Sequence, residues 1–317
     1  MADTTYTGLL LIGDPHLEAR QPGFRKDDYP SVILDKLAWC LEYARANALL
    51  PALLGDLFDK PRDNPNWMIV RLLDLLQGEI LSLYGNHDCA DPELSDHDSL
   101  SLLTKSGRLK LLSPDCVWQG TIRGREVVVG GSSYRQKIPD IFKPSTNGSE
   151  SAPLVLWLTH HDILIPGYDE GRIRPRAIPG VDLVINGHIH RQLAEQRAGA
   201  TRWLTPGNIS RRSRNDATKS HVPSVLRIDI QQQSYDLYYV EVPHRPFDEV
   251  FHDAIVEANE VTEQSAFVSG LAELQARRTA SGAGLLEFLK QNAAQFEPPV
   301  ASEIMSLAQE VMQHGKE

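Results

Sequence analysis

Apolar runs at residues 9–12, 49–54, 80–84, 153–158 and 181–185 punctuate the first two thirds of the chain, each with the length and content of a buried strand. After each of the first three comes a helical stretch, at about residues 32–48, 67–77 and 99–105. In the first of these Leu34, Leu37, Leu41, Ala44 and Ala48 recur at three or four residues and form one apolar face. This alternation predicts a mainly parallel sheet covered by helices.

From residue 109 to 134 the pattern changes to short strands with turns. Residues 117–123 and 126–129, joined through Gly124-Arg125, read as a hairpin. Further strands are expected at residues 202–204, 225–230 and 235–242, and residues 143–153, rich in Ser, Gly and Pro, read as a surface loop. The fold expected is α/β, a two-sheet sandwich flanked by helices. Pro243-His244-Arg245-Pro246 then breaks the chain, and beyond it the period turns helical over about residues 248–260, 264–278, 284–292 and 301–314. The expected organisation is a sandwich domain over residues 1–244 and a helical cap or docking appendage over residues 245–317.

Each of the five apolar runs ends in residues that carry chemistry: Asp14-Pro15-His16, Gly55-Asp56-Leu57-Phe58-Asp59, Gly85-Asn86-His87-Asp88, His160-His161 and Gly187-His188-Ile189-His190. A loop just past a buried strand is rigidly held, which is where ligating side chains belong. In Asp14-x-His16 and His188-x-His190 alternate residues share one side of an extended segment, so both can face one ion. Carboxylates, imidazoles and one amide oxygen, without thiolate, suit Mn2+, Mg2+, Fe2+ or Zn2+, with Mn2+ favoured. Two such cations about 3.5–4 Å apart can bind phosphoryl oxygens, acidify a water and offset charge on a leaving oxygen. Neighbours in a strand point to opposite faces, so spacing alone leaves His160 and His161 open as alternatives.

Composition narrows the class. With 317 residues, 41% hydrophobic, the chain can bury a full core. No apolar stretch approaches membrane-spanning length and the first residues lack a secretory pattern, so a soluble, unexported protein is expected. Cys40, Cys89 and Cys116 are widely spaced and form no CxxC pair, which fits reduced cytoplasm rather than a disulfide framework. The net charge of -10 is unevenly spread. Residues 245–317 hold 5 Lys+Arg against 12 Asp+Glu, whereas residues 172–219, around the last motif, hold 10 basic against 3 acidic. That basic segment suits a polyanionic partner, or it simply solvates loops.

The set Asp-x-His, Gly-Asp-x-x-Asp, Gly-Asn-His-Asp, His and Gly-His-x-His resembles the calcineurin-like metallophosphoesterase superfamily over about residues 8–210. Within it, Gly55-Asp56-Leu57-Phe58-Asp59-Lys60 and Gly187-His188-Ile189-His190-Arg191 are similar to the SbcD nuclease and its meiotic-recombination relatives. The resemblance implies Asp14, His16 and His190 on one ion, Asn86, His160 and His188 on the other, and Asp56 bridging them. It further implies that His87 protonates the leaving oxygen or stabilises the transition state, with Asp88 orienting it; a loop-structuring role is expected for Asp59. The activity implied is DNA exonuclease or endonuclease hydrolysis by in-line attack of hydroxide held on the metals, in DNA repair or recombination. Arg211, Arg212 and Arg214 are the candidate contacts to the DNA backbone. The partners implied are a coiled-coil SMC-like ATPase of the SbcC type and a second copy in a homodimer, with no membrane.

Two features depart from that branch. Pro206-Gly207-Asn208-Ile209-Ser210 stands where those nucleases tend to carry Gly-Ser, and the tail is short, helical and acidic where theirs is larger and contains strands. A phosphatase or phosphodiesterase for small nucleotides or phosphoproteins would use the same ligands. A non-catalytic scaffold of the same fold should show eroded ligands, and all seven are present.

Overall fold

Alternate residues of the first strand, β1 (Gly8–Ile12), serve two different cores. Leu9 and Leu11 face the space between two sheets, while Leu10 and Ile12 meet the helices on the far side. This is the period of two of a strand, with both faces covered. The computed structural model describes residues 6–22, 24–144, 152–168, 171–214 and 216–252.

Strand β1 is followed by helix α1 (Tyr29–Ala46), β2 (Leu49–Leu53), α2 (Asn66–Leu75), β3 (Leu81–Ser82), α3 (Ser99–Lys105) and β4 (Lys110–Leu111). The hairpin β5 (Trp118–Ile122) and β6 (Arg125–Ser132) comes next, then β7 (Leu154–Thr159), β8 (Leu183–Asn186), β9 (Gln192–Ala198) and β10 (Thr201–Pro206). Helix α4 (Asp216–Ser220), β11 (Ser224–Ile230), β12 (Tyr235–Glu241) and α5 (Phe247–Val250) complete the described part. One mixed sheet runs β12-β11-β1-β2-β3-β4 and the other β5-β6-β7-β8-β10-β9. Their facing sides share a core of Leu50, Leu81, Val129, Leu156, Ile185 and Leu226 among others, and α1 to α3 cover the first sheet with Ile33, Leu37, Met68 and Leu100. The outer face of the second sheet packs Trp157, Val184 and Trp203 under loop residues Ile138, Ile163 and Ile178. The α/β two-sheet sandwich flanked by helices is therefore present.

Several boundaries differ from the sequence reading for identifiable reasons. Helix α1 starts at Tyr29 because Pro30 is accepted in a first turn, where its missing N–H leaves no bond unmade. The hairpin turns at Arg123 and Gly124, both at positive φ, one residue earlier than expected. Strand β9 has no counterpart in the expected pattern: it is a half-exposed edge with no apolar run. The helix expected from residue 248 stops at Val250, and Phe251 is extended and bridges Arg25.

The chain divides into a compact unit that ends at Phe251 and a second unit from His252. The appendage expected over residues 245–317 lies, beyond residue 252, outside the described residues, as does most of the loop expected over residues 143–153. No helix among the described residues is long and apolar enough to cross a membrane.

Candidate metal centre

The strands β1, β2, β3, β7 and β8 end at the same edge of the sandwich, and the loops that follow them converge. Asp14, His16, Asp56 and His190 bring ligand atoms within 4.8 Å of one another, and so do Asp56, His160 and His188. The Asn86 amide oxygen joins the second group, 2.9 Å from His188 Nδ1 and 3.2 Å from His160 Nε2. Asp56 belongs to both groups, its Oδ2 being 3.3 Å from His160 Nε2 and 3.6 Å from His16 Nε2.

Local backbone produces this convergence. Asp14, His16, Asp56 and His188 take φ values of 37, 49, 50 and 69°, in the left-handed region that disfavours side chains with a Cβ. Such residues cost on the order of 1–3 kcal/mol each, and packing here fixes them. Asp56 is pinned by the His87 N–H on its Oδ1 at 2.8 Å, and Asp14 by the His188 N–H at 2.9 Å. Gly85 must be glycine: a Cβ would lie 2.0 Å from Asp56 Oδ1 and 2.7 Å from the Asp56 nitrogen.

The donor set fits two cations. Asp14 Oδ2 is buried without a hydrogen-bond partner among the described residues. His16 Nε2 faces His190 Nε2 at 2.9 Å, and Asn86 Oδ1, His160 Nε2 and His188 Nδ1 lie 2.9–3.3 Å apart, a convergence of nitrogen and oxygen atoms that can all ligate. Buried acceptors left unmatched cost about 1–3 kcal/mol each, which bound cations would relieve. Electrostatics agrees. Burial disfavours a charged His160, yet Asp56 and Asp14 outweigh it and hold its pKa up at about 10, which means that the carboxylates draw positive charge to this point. Burial, joined by the charge of Asp56, raises the Asp14 carboxyl even against the pull of His160. The His160 Nδ1–H donates to the Leu54 carbonyl at 2.7 Å, which fixes the tautomer and leaves Nε2 free to ligate.

Residues 8–192 match the family pattern of the calcineurin-like phosphoesterases. The chain belongs to this family. A search of curated proteins finds no match. Among solved structures, it is similar to a hypothetical protein from Thermus thermophilus, with 14% identity over 74% of this chain and 99% of the other and a TM-score of 0.42. A conserved uncharacterized protein of Streptococcus pneumoniae, described as a predicted phosphoesterase, has 10% identity over 76% and 93% with a TM-score of 0.35. Vacuolar Protein Sorting 29 from Cryptosporidium parvum has 12% identity over 74% and 97% with a TM-score of 0.31.

In this calcineurin-like phosphoesterase His160, not His161, turns into the cluster; His161 Nε2 instead meets the Gln136 carbonyl at 2.8 Å. His87 stands at the rim with its side chain 37% exposed, and partial desolvation followed by the charge of His16 lowers its pKa. Its Nδ1 is 2.9 Å from the Asp59 carbonyl and 3.8 Å from the Asp59 carboxylate.

The resemblance implied that Asp88 orients His87, and the geometry corrects this. Asp88 is buried and accepts the N–H groups of Gly85, Phe58 and Leu57 at 2.9, 3.0 and 3.3 Å, so it ties the β2 and β3 loops together. Burial and then the charge of Asp56 push its carboxyl up to about 7. The residue beside His87 is Asp59, which also lies 3.5 Å from His16 Nδ1. Asp162, given no role by sequence, accepts from His188 Nε2 at 2.7 Å.

The arginines expected on DNA are also placed differently. Arg211 is buried, its guanidinium donating to the carbonyls of His221 and Arg245. Arg212 bridges Glu18 and Asp59 at 3.0 and 2.9 Å. Arg214 is half-buried, with Nε unpartnered among the described residues. Elsewhere in the basic segment, Arg197 and Arg202 engage Glu195, and Arg191 the Gly167 carbonyl. Arg172 and Arg174 are exposed, and the charge of Arg172 reaches Asp162.

Proposed function

We propose that the chain is a two-cation phosphodiesterase acting on DNA. Asp14, His16 and His190 would hold one ion, Asn86, His160 and His188 the other, and Asp56 both; the observation that carries this is the place of Asp56 in two donor groups at once. When bound, the cations offset charge on the phosphoryl oxygens and acidify an attacking water. Hard oxygen and imidazole donors without thiolate support Mn2+ as the ion, with Mg2+, Fe2+ and Zn2+ as alternatives.

The chain's own residues supply the rest. Asp59 and its carbonyl orient His87, whose rim position suits a proton donor to the departing oxygen. His87 N–H holds Asp56, and His160 is kept in one tautomer by Leu54, so the ligands are set before substrate arrives. Exposed Arg172, whose charge reaches Asp162, and exposed Arg174 two residues on are the candidate phosphate contacts. DNA as substrate rests on the similarity of the Gly55–Lys60 and Gly187–Arg191 motifs to the SbcD branch. An SMC-like coiled-coil ATPase as partner and a cytoplasmic role in repair or recombination rest on the same similarity. Half-exposed Trp67 and Val70 on α2 and Leu102 on α3 support a homodimer through these helices.

A second reading is favoured by the arginine geometry. With Arg211 and Arg212 bonded internally, the surface is less basic than the sequence suggests, which suits a phosphodiester or phosphomonoester of a small nucleotide or a phosphoprotein.

The test is incubation of the purified chain and Mn2+ with labelled single- and double-stranded DNA, beside Asp56→Ala and His87→Ala. Cleavage by the parent that both substitutions abolish is the expected result; cleavage surviving both overturns it. Competition between DNA and a cyclic nucleotide separates the two substrate classes.

A further inference from the structure

Away from the metal cluster, a cavity of about 530 Å3 opens between α1, the segment after β12 and the loop that carries Arg211. Its wall holds Arg25, Lys36 and Arg211, which are only 6%, 7% and 7% exposed. One buried carboxylate lies among them, Asp27, held by Arg25 Nε and Nη2 at 2.7 and 2.6 Å. The remaining hydrogen bonds go to carbonyl oxygens: Lys36 Nζ donates to Ile209 at 2.8 Å, and Arg211 donates to His221 and Arg245. Carbonyls satisfy donors and carry no net charge. The wall therefore presents Arg25, Lys36 and Arg211 against the one buried carboxylate; exposed Arg245 and Asp35 also line the cavity, and the charge of Glu241 reaches Arg211.

Burying like charges together is costly unless something anionic joins them. Burial and the neighbouring Arg211 and Arg25 push Lys36 down to about 7, which registers that repulsion. The cavity also has an apolar side, with Val32 and the half-buried Trp39, whose ring stacks on Tyr43 at 5.2 Å.

We propose that this cavity binds a phosphomonoester with an aromatic body, of the nucleoside monophosphate class, at a site distinct from the metal cluster. A phosphomonoester carries a charge of about -1.5 to -2 at neutral pH, which matches the excess of the wall. The volume lies within the range of small-ligand sites, and an aromatic body would find Trp39 beside the cations.

The site also reaches the metal ligands through a short stretch of chain. Ile209, whose carbonyl takes Lys36, donates its N–H to the Gly13 carbonyl at 3.2 Å. Ser210 donates to the Asp14 carbonyl at 3.0 Å, and Arg212 holds Asp59. An occupant that draws on Lys36 or Arg211 therefore acts on the segment that positions Asp14.

The test is calorimetric titration of adenosine monophosphate into the full chain, metal-loaded and separately in EDTA, with adenosine and inorganic phosphate as controls. Binding is expected to persist in EDTA and in Asp56→Asn. It should weaken at least about tenfold in Lys36→Met and in Trp39→Ala, and adenosine and phosphate alone should bind at least about tenfold more weakly. Binding seen only with metal present, or unchanged in both variants, overturns the proposal. Phosphate binding as tightly as the nucleotide overturns the aromatic part. If Lys36→Met fails to fold by thermal denaturation, Arg245→Ala at the exposed rim should weaken binding severalfold, and unchanged affinity there refutes the site.

Discussion

Asp162 Oδ1 accepts a hydrogen bond from His188 Nε2 at 2.7 Å, which turns Nδ1 of the same ring toward Asn86 and His160. A carboxylate behind a ligating imidazole fixes its tautomer and raises its basicity. The hydrogen bond with His188 in turn holds the Asp162 carboxyl below its usual range.

Replacing Asp162 by Ala should therefore weaken metal binding about 10- to 100-fold at the site proposed for Asn86, His160 and His188. Because Asp162 is partly exposed, thermal stability of the metal-free chain should change little. Metal titration followed by calorimetry reads the first effect and a melting curve in EDTA the second. Wild-type metal affinity in Asp162→Ala would show that His188 needs no such support.

Gly85→Ala isolates positioning from chemistry, since it alters no donor. The added methyl would sit 2.0 Å from Asp56 Oδ1 and meet the Asp56 backbone nitrogen, so the carboxylate shared by the two donor groups must move. Displacements near 1 Å at a reacting centre cost about 100-fold, and phosphodiester hydrolysis should fall at least that far. Overpacking should also lower stability by about 1–3 kcal/mol. Hydrolysis of a chromogenic diester, assayed beside denaturant unfolding, measures both.

Much of this arrangement is legible in the chain itself. Strands β1, β2, β7 and β8 are buried on both faces, so they appear as largely apolar runs, and the residues just past them lie together at one edge. Strand β9 is illegible because an edge strand needs no apolar run. Asp88 and Asp59 exchange their expected roles for a reason that sequence distance hides. Asp88 follows His87 directly, yet the Gly85–Asp88 turn aims its carboxylate back at the Leu57 and Phe58 amides, while Asp59, 28 residues away, arrives beside the His87 ring. Arg211 escapes a reading from sequence because the burial of a guanidinium among carbonyls depends on tertiary packing alone. Its position one residue after Ser210, which holds Asp14, becomes informative only once the loop is folded.

The same geometry divides the arginines by experiment. On the proposed DNA substrate, Arg172→Ala and Arg174→Ala should each weaken binding uniformly across sequences and reduce the slope of log K against log salt by about 1. Arg211→Ala should leave that slope unchanged and instead destabilise the fold by about 1–3 kcal/mol, because the carbonyls of His221 and Arg245 lose their donors. Binding isotherms over a salt series separate the two classes. A changed slope in Arg211→Ala would return that residue to the surface role expected from sequence.

Acid should destabilise the metal-free chain through His221. Burial, with Arg211 and Lys36 nearby, pushes its pKa down to about 4, and its Nε2–H donates to the Asn208 carbonyl at 3.0 Å. The unfolded chain takes up this proton near pH 6.5, whereas the folded one resists it until about pH 4. Between those values the unfolded state binds more protons, so stability rises with pH in that window and falls as pH drops through it. The full penalty, reached well below pH 4, is on the order of 3–4 kcal/mol. In EDTA, the unfolding free energy of His221→Gln should fall less steeply than that of the parent from pH 6.5 to 4. Parallel curves would mean that His221 does not titrate against the fold, and that its burial is relieved by a rearrangement of the Asn208–Arg211 loop.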